Sequence, residues 1–193
     1  MEEIKIGPYF VFVWSILLFF SLDIILAKYF LSPDLAGKYS ALSLIGKIIY
    51  LGTNSISKVM FPFVSERKER LEGSKDLFLK SYLLVFSIGT LAVLIYSMFS
   101  NFIVLTLYGK EYIEISKYLF ISGISFLILS LTNLNLMYLL SSNKTKNYLI
   151  ILSGIIFQII FFYILNKSLF ELSIAMLLSN IVMFILTIFL IKK

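Results

Sequence analysis

The chain contains no cysteine and no histidine among its 193 residues. The absence of cysteine excludes a disulfide framework, a redox centre and a thiolate metal site. The absence of histidine removes the usual metal ligand and the side chain that most often shuttles protons near neutral pH. A nucleophile–histidine arrangement is therefore excluded, and the sequence has no glycine-rich phosphate loop. We expect no enzyme activity, no catalytic residue, no bound metal and no cofactor.

Long polar stretches are also scarce, because 60% of the residues are apolar and the mean hydropathy is +0.96. The apolar residues form six runs near or above the length of about 20 residues that a helix needs to cross a bilayer. The runs are continuous rather than alternating, which favours helices over barrel strands. The sequence predicts an all-α membrane protein in which residues 1–193 form a single six-transmembrane-helix bundle. The approximate helices are 8–31, 36–62, 77–100, 113–140, 147–165 and 169–191.

The predicted helices are joined by short polar segments. Ser65–Asp76 is the longest of them and is typical of a short amphipathic or helical linker. Asn101–Tyr112 contains a glycine between two tyrosines and predicts an interfacial turn. Pro62 lies at the inner end of the second helix, where it either bends the helix or ends it. We expect it to mark a helix end.

The net charge of +6 does not indicate a nucleic-acid partner, because the basic residues lie mainly between the apolar runs. This placement is typical of the positive-inside rule for membrane helices. Alternation of six helices places eleven basic residues on one side: Lys5, Lys58, Arg67, Lys68, Arg70, Lys75, Lys80, Lys144, Lys146, Lys192 and Lys193. The other side has five: Lys28, Lys38, Lys110, Lys117 and Lys167. The asymmetry predicts a multi-pass protein of the cell membrane with both termini in the cytoplasm.

The second predicted helix has a polar side and an apolar side when its residues are placed at 100° intervals. The polar arc contains Tyr39, Ser43, Lys47, Tyr50, Asn54, Ser57 and Lys58, and the opposite side contains Ala41, Ile45, Ile48, Ile49, Gly52, Ile56 and Val59. Lipid cannot satisfy so long a polar stripe, which must face protein or a water-filled cavity. We expect a substrate cavity lined by Tyr39, Ser43, Lys47, Tyr50 and Asn54, with plain packing against polar neighbours as the alternative.

Two charged residues lie at matching depth in neighbouring predicted helices. Asp23 lies about 12 Å from the outer end of the first helix, and Lys47 lies about 16 Å from the outer end of the second. Because neither charge is tolerated alone in hydrocarbon, the sequence predicts a buried Asp23–Lys47 pair. The pair is interpreted either as a static bridge that fixes helix packing or as a site that responds to an ion or a proton.

Small polar residues are also scattered through the later helices. The fourth helix contains Ser122, Ser125, Ser130, Thr132, Asn133 and Asn135. Asn133 and Asn135 are two positions apart, so they point to different faces of a helix and cannot both line one cavity. For most of these residues, and for the isolated Gln158 and Asn180, hydrogen bonding between helices is the default interpretation. Gly89, near the middle of the third helix, predicts close packing.

Five segments carry a resemblance to a known family: Leu22–Ser32, Ala36–Ala41, Leu44–Ile49, Phe61–Ser65 and Tyr108–Tyr112. They resemble segments of the polysaccharide biosynthesis flippases, which belong to the MATE-like multidrug/oligosaccharidyl-lipid/polysaccharide exporter superfamily. The order and spacing match over residues 8 to about 120. From there to residue 193 the similarity is one of hydropathy pattern.

The resemblance implies the C-terminal lobe of a flippase that carries a polyprenyl pyrophosphate glycan across the membrane by alternating access between two lobes. The implied partners are membrane lipid, the lipid-linked oligosaccharide, and either a missing N-terminal lobe or a second copy of the chain. Family cavities are often cationic, which suits the anionic pyrophosphate, and Lys47 lies at a suitable depth. Asp23 occupies the position of a recurrent aspartate in the first helix of that lobe.

The resemblance covers one lobe only, so the chain lacks the second wall of a translocation cavity. We expect it to be incomplete alone, and a fragment, a split gene and a half-transporter are all consistent with this. An ion-coupled exporter of small molecules from the same superfamily is an alternative function. A remnant or interaction subunit that moves nothing is another.

Overall fold

The computed structural model describes the backbone of residues 6–70, 72–141 and 148–192, and this part of the chain contains helices and no strands. The all-α prediction is therefore confirmed. The helices are α1 (Ile6–Phe30), α2 (Pro33–Glu69), α3 (Lys75–Tyr108), α4 (Leu119–Leu140), α5 (Tyr148–Ile164) and α6 (Leu169–Lys192). A 3₁₀ helix, Lys110–Tyr118, leads directly into α4.

Three helical segments in the described part of the chain are long and apolar enough to cross a membrane: Lys75–Tyr108, Lys110–Leu140 and Leu169–Ile191. Leu152–Ile164 is a shorter apolar helix. Membrane association is thus supported by length and composition. α2 is not among the three segments, since Lys47, Asn54 and Lys58 interrupt its apolar residues.

Two predicted helix ends are wrong. α2 continues through Pro62 to Glu69, because Pro62 lies on the exposed side while Met60 and Val64 beside it are buried and hold the helix in place. A proline removes one helical hydrogen bond, and this packing compensates for the loss. α3 is kinked at Phe99 (φ −119°, ψ 22°), beside the predicted end at residue 100, but it continues beyond the kink to Tyr108. The chain reverses only at Gly109, where φ is +85°.

The predicted linker is mostly a continuation of these helices. Ser65–Glu69 belongs to α2, and Arg67 at its end pairs with Asp76 at the start of α3 over 2.8 Å. The predicted polar loop at 141–146 lies outside the described residues except for Ser141. Four basic residues used to predict the orientation also lie outside the described residues, namely Lys5, Lys144, Lys146 and Lys193.

The helices form a closed ring in the order α1, α2, α3, α4, α6, α5, in which each helix contacts the next and α5 returns to α1. α2 also packs against α4 across the ring, so these two helices form the centre of the bundle. Within its most apolar stretch, the Lys110–Leu140 segment is 78% buried. The corresponding stretch of α3 is 22% buried. α3 therefore presents most of its surface to the surroundings, and α4 is enclosed by protein.

Small residues allow the helices to approach closely. A methyl group at Gly46 would overlap Ser122 and Phe126 of α4, and one at Gly89 would overlap Leu127. The close packing expected at Gly89 is thus present, as is typical of membrane helices. The Tyr96 hydroxyl donates to the Ile45 carbonyl over 2.6 Å and ties α3 to α2.

Candidate functional site

Asp23 of α1 and Lys47 of α2 meet inside the bundle. Lys47 Nζ lies 2.8 Å from Asp23 Oδ1, and Ser43 Oγ donates to Asp23 Oδ2 over 2.5 Å. The Asp23 side chain is 0% exposed and the Lys47 side chain 4%. The contact expected from their matching depths is therefore present. Ser43 and Lys47 are one helical turn apart, so two successive turns of α2 hold the two oxygens of one carboxylate.

Aromatic rings surround the ammonium group of Lys47. Its Nζ lies 4.7 Å from the centroid of the Phe20 ring on α1 and 5.9 Å from that of Phe126 on α4. Ring faces attract cations at such distances. Phe126 comes this close because Gly46 has no side chain in its path. Neither ring was predicted as part of the site, although Phe20 lies one turn before Asp23 and could have been considered.

The other members of the predicted polar arc, apart from Lys58, also point into the bundle. Tyr39 is buried and packs edge-on against Phe162 of α5, with 6.1 Å between centroids. Tyr50 is buried against Phe20 at 4.8 Å. Asn54 is partly buried and accepts a hydrogen bond from Asn133 of α4 at 3.1 Å. These three side chains thus contact α5, α1 and α4, and the substrate cavity expected along the arc stays a prediction.

The outward side of α2 is instead apolar, with Leu44, Ile48, Leu51, Val59 and Phe63 each about half exposed or more. Ile45 and Ile49, on the predicted apolar side, are buried inside the bundle. Lys58, the last residue of the arc, is exposed. The 100° period thus grouped most of the polar residues correctly, and the outward stripe shares Ile48 and Val59 with the predicted apolar side.

Polar residues of the later helices link helix to helix, as the default interpretation expected. Asn133 bonds to α2 through Asn54, whereas Asn135 donates to Thr187 of α6 over 3.1 Å. These two asparagines therefore face different helices, as their spacing predicted. Asn180 of α6 donates to both the carbonyl and the hydroxyl oxygen of Ser125, at 3.0 and 2.8 Å.

A small cavity with four serines in its lining adjoins the ion pair on the Tyr39 side. Its lining comes from three helices: Tyr39, Leu42 and Ser43 of α2, Ser122, Ser125 and Phe126 of α4, and Ser173 and Met176 of α6. Ser43 borders the cavity and also bonds to Asp23. Sequence analysis missed this cavity, for which the only signal is the helical spacing of Ser122 with Ser125.

A small apolar cavity lies on the other side of Lys47, between α1, α2, α4 and α6. Phe19, Phe20, Tyr50 and Leu129 contribute to its lining. Its few polar neighbours are bonded elsewhere, since the Asn133 amide donates to Asn54. The charged cluster thus separates a serine-lined space from an apolar one.

The described residues contain no group of three or more acidic, histidine or cysteine side chains that could hold a metal ion. What the cluster offers is a charge pair that can persist only while both partners stay together in a low-dielectric interior. Such a pair couples the position of α1 to that of α2.

The fold and the site together define an all-helical, membrane-associated bundle with an enclosed charged cluster at its centre. Comparisons with protein-family models, with curated proteins and with solved structures find no match for this chain.

Proposed function

We propose that all six helices cross the membrane as one bundle and that both termini lie in the cytoplasm. Three segments have the required length and composition. The exposed sides of the other helices are apolar as well, with Leu17, Leu18 and Ile25 on α1, Leu44, Ile48 and Leu51 on α2, and Ile156, Ile159 and Ile160 on α5. Because α2 turns its polar residues inward, its outer side suits lipid. The excess of basic residues on one side supports the orientation.

Exposed tyrosines support one boundary of the bilayer. Tyr29 at the end of α1 is 81% exposed, and Tyr163 at the end of α5 is 70% exposed. Tyr108 and Tyr112 flank the Gly109 turn at the same end of the bundle, where Lys38 of α2 pairs with Glu114. Tyrosine is enriched at membrane–water interfaces, where its ring contacts lipid and its hydroxyl contacts water.

We propose that this bundle is one lobe of a flippase that moves a polyprenyl-linked glycan. The observation that carries the proposal is the Asp23–Ser43–Lys47 cluster, because charged residues at membrane depth are costly and usually serve function. The resemblance to polysaccharide flippases supplies the substrate class. The second lobe is the missing N-terminal lobe or another copy of this chain.

In this conformation Lys47 is enclosed and paired, so it is not available to a pyrophosphate group. The proposal therefore gives the cluster a positioning role: it holds α1 against α2 while the lobe moves as one body. Separation of the two helices would expose Lys47 to an anionic cargo.

Restoration of surface glycan in flippase-deficient bacteria tests the proposal. The chain is expressed alone and together with a neighbouring reading frame that encodes a further six-helix lobe. We expect surface glycan to return in the paired strain. The Asp23→Asn/Lys47→Met double variant should abolish it at normal membrane levels, while Lys58→Met, an exposed lysine on the same helix, should have no effect. Surface glycan that returns equally with the double variant would refute a role for the cluster in transport.

A non-transporting interaction subunit is the second candidate. It is favoured by the enclosure of the polar arc, which leaves the outer face of α2 apolar and without the polar lining of a water-filled path. This candidate predicts that the chain stabilises a membrane partner. It also predicts that the double variant supports the partner as well as the parent chain does.

A further inference from the structure

The serine-lined cavity between α2, α4 and α6 is rich in hydrogen-bond acceptors. The hydroxyl protons of Ser43 and Ser173 are already used, since Ser43 donates to Asp23 and Ser173 donates to the Leu169 carbonyl over 2.7 Å. Ser122 donates to the Leu42 carbonyl over 3.3 Å. Each of these hydroxyl oxygens keeps lone pairs that can accept another hydrogen bond. These three oxygens therefore favour a ligand that donates.

Two orphaned amide oxygens belong to residues that contact the lining of the same cavity. Gln158 and Asn180 are both 0% exposed, and neither Gln158 Oε1 nor Asn180 Oδ1 accepts a hydrogen bond from the described residues. The Asn180 amide is oriented by its two donor contacts to Ser125, a lining residue. Gln158 Nε2 lies 3.5 Å from the sulfur of Met176, which also lines the cavity. Buried acceptors of this kind are normally paired.

The α6 residues that reach this region share one face of the helix. Ser173, Met176 and Asn180 are spaced at i, i+3 and i+7, and Gln158 approaches them from α5. Ser43, which lines the cavity from α2, donates a hydrogen bond to the Asp23 carboxylate. The orphaned acceptors and the Asp23 carboxylate are therefore each one contact away from the lining of one small cavity.

We propose that this cavity is a hydration site, in which buried water donates to Gln158 and Asn180 and reaches Ser43. Water fits because it donates two hydrogen bonds, and the four serines in the lining offer the polar partners that a buried water molecule requires. The water lies one hydroxyl group away from the Asp23–Lys47 pair and gives that pair contact with a proton-exchanging solvent. The proposal does not depend on what the lobe transports.

Radiolytic hydroxyl footprinting of the unmodified chain in detergent tests the proposal, because radicals formed from bound water oxidise the side chains next to it. Met176, which lines the cavity, and Met60, which does not, are both 2% exposed and form a matched pair. We expect Met176 to oxidise several-fold faster than Met60 and to incorporate the oxygen isotope of labelled water. Equal rates for the two methionines would overturn the proposal.

A second measurement uses single-cysteine variants of this cysteine-free chain. Ser173→Cys faces the cavity, and Ser179→Cys is its control, since both serines lie on α6, are buried and donate to their own helix. Silver ion is the probe, and the unreacted thiol is then alkylated after denaturation. In variants that elute as folded protein, we expect silver to protect the thiol of Ser173→Cys from alkylation and not the thiol of Ser179→Cys. Protection of neither position, or of both equally, would contradict a hydrated cavity.

Discussion

Removal of one partner of the Asp23–Lys47 pair should destabilise the bundle more than removal of both. The variants are Asp23→Asn, Lys47→Met and the double variant. Each single change leaves a charged or polar group without its partner in an interior where both side chains are almost fully enclosed. The double variant leaves an amide and a thioether, which require far less from their surroundings.

The distance in the structure sets the scale of the effect. Opposite charges 2.8 Å apart attract by about 6 kcal/mol at an effective dielectric constant of about 20. Desolvation offsets much of this attraction, so we expect each single variant to lose about 3–5 kcal/mol of unfolding free energy. For the double variant we expect a loss of about 1–2 kcal/mol, because the hydrogen bond from Ser43 to Asn is weaker than that to the carboxylate.

Equilibrium unfolding in mixed detergent micelles, followed by circular dichroism, measures these differences, and the folded yield after purification gives an independent readout. Lys58→Met is the control, since this lysine lies on the same helix and is exposed. It should change stability little. Losses that add in the double variant would show that the two residues are not coupled, and the reasoning from their contact would be refuted.

Three further results are expected. Gly46→Ala should lose about 1–3 kcal/mol of unfolding free energy, because the added methyl group would overlap α4. Gly52→Ala, whose methyl group would meet open space, should gain up to about 1 kcal/mol. Equal effects of the two substitutions would contradict the contact between α2 and α4 at Gly46. Tyr96→Phe should lose about 1 kcal/mol in the same assay, and an unchanged unfolding midpoint would show that this hydrogen bond adds nothing. Cysteines at the exposed Lys75 and Lys110 should react with an impermeant maleimide from opposite sides of the membrane in intact cells and inverted vesicles; labelling from one side would refute the proposed topology.

The positions of the helices were predictable from the sequence, but some of their ends were not. Continuous apolar runs located all six helices, because the bilayer length and the helical rise are fixed quantities. The same runs could not show that α2 continues past Pro62, since that depends on the burial of Met60 and Val64 against other helices. A chain reversal was predicted within Asn101–Tyr112, but α3 continues for about two more helical turns before the chain reverses at Gly109.

The sequence by itself determined which residues share a face of α2 and that Asp23 and Lys47 lie at one depth, because helical period and rise follow from backbone geometry alone. Only the tertiary structure decided what covers that face. Gly46 lets α4 pack directly over it, and the Phe126 ring then lies 5.9 Å from the ammonium group of Lys47. The serine-lined cavity likewise combines three helices that are distant in the sequence, and no local pattern encodes how distant segments meet.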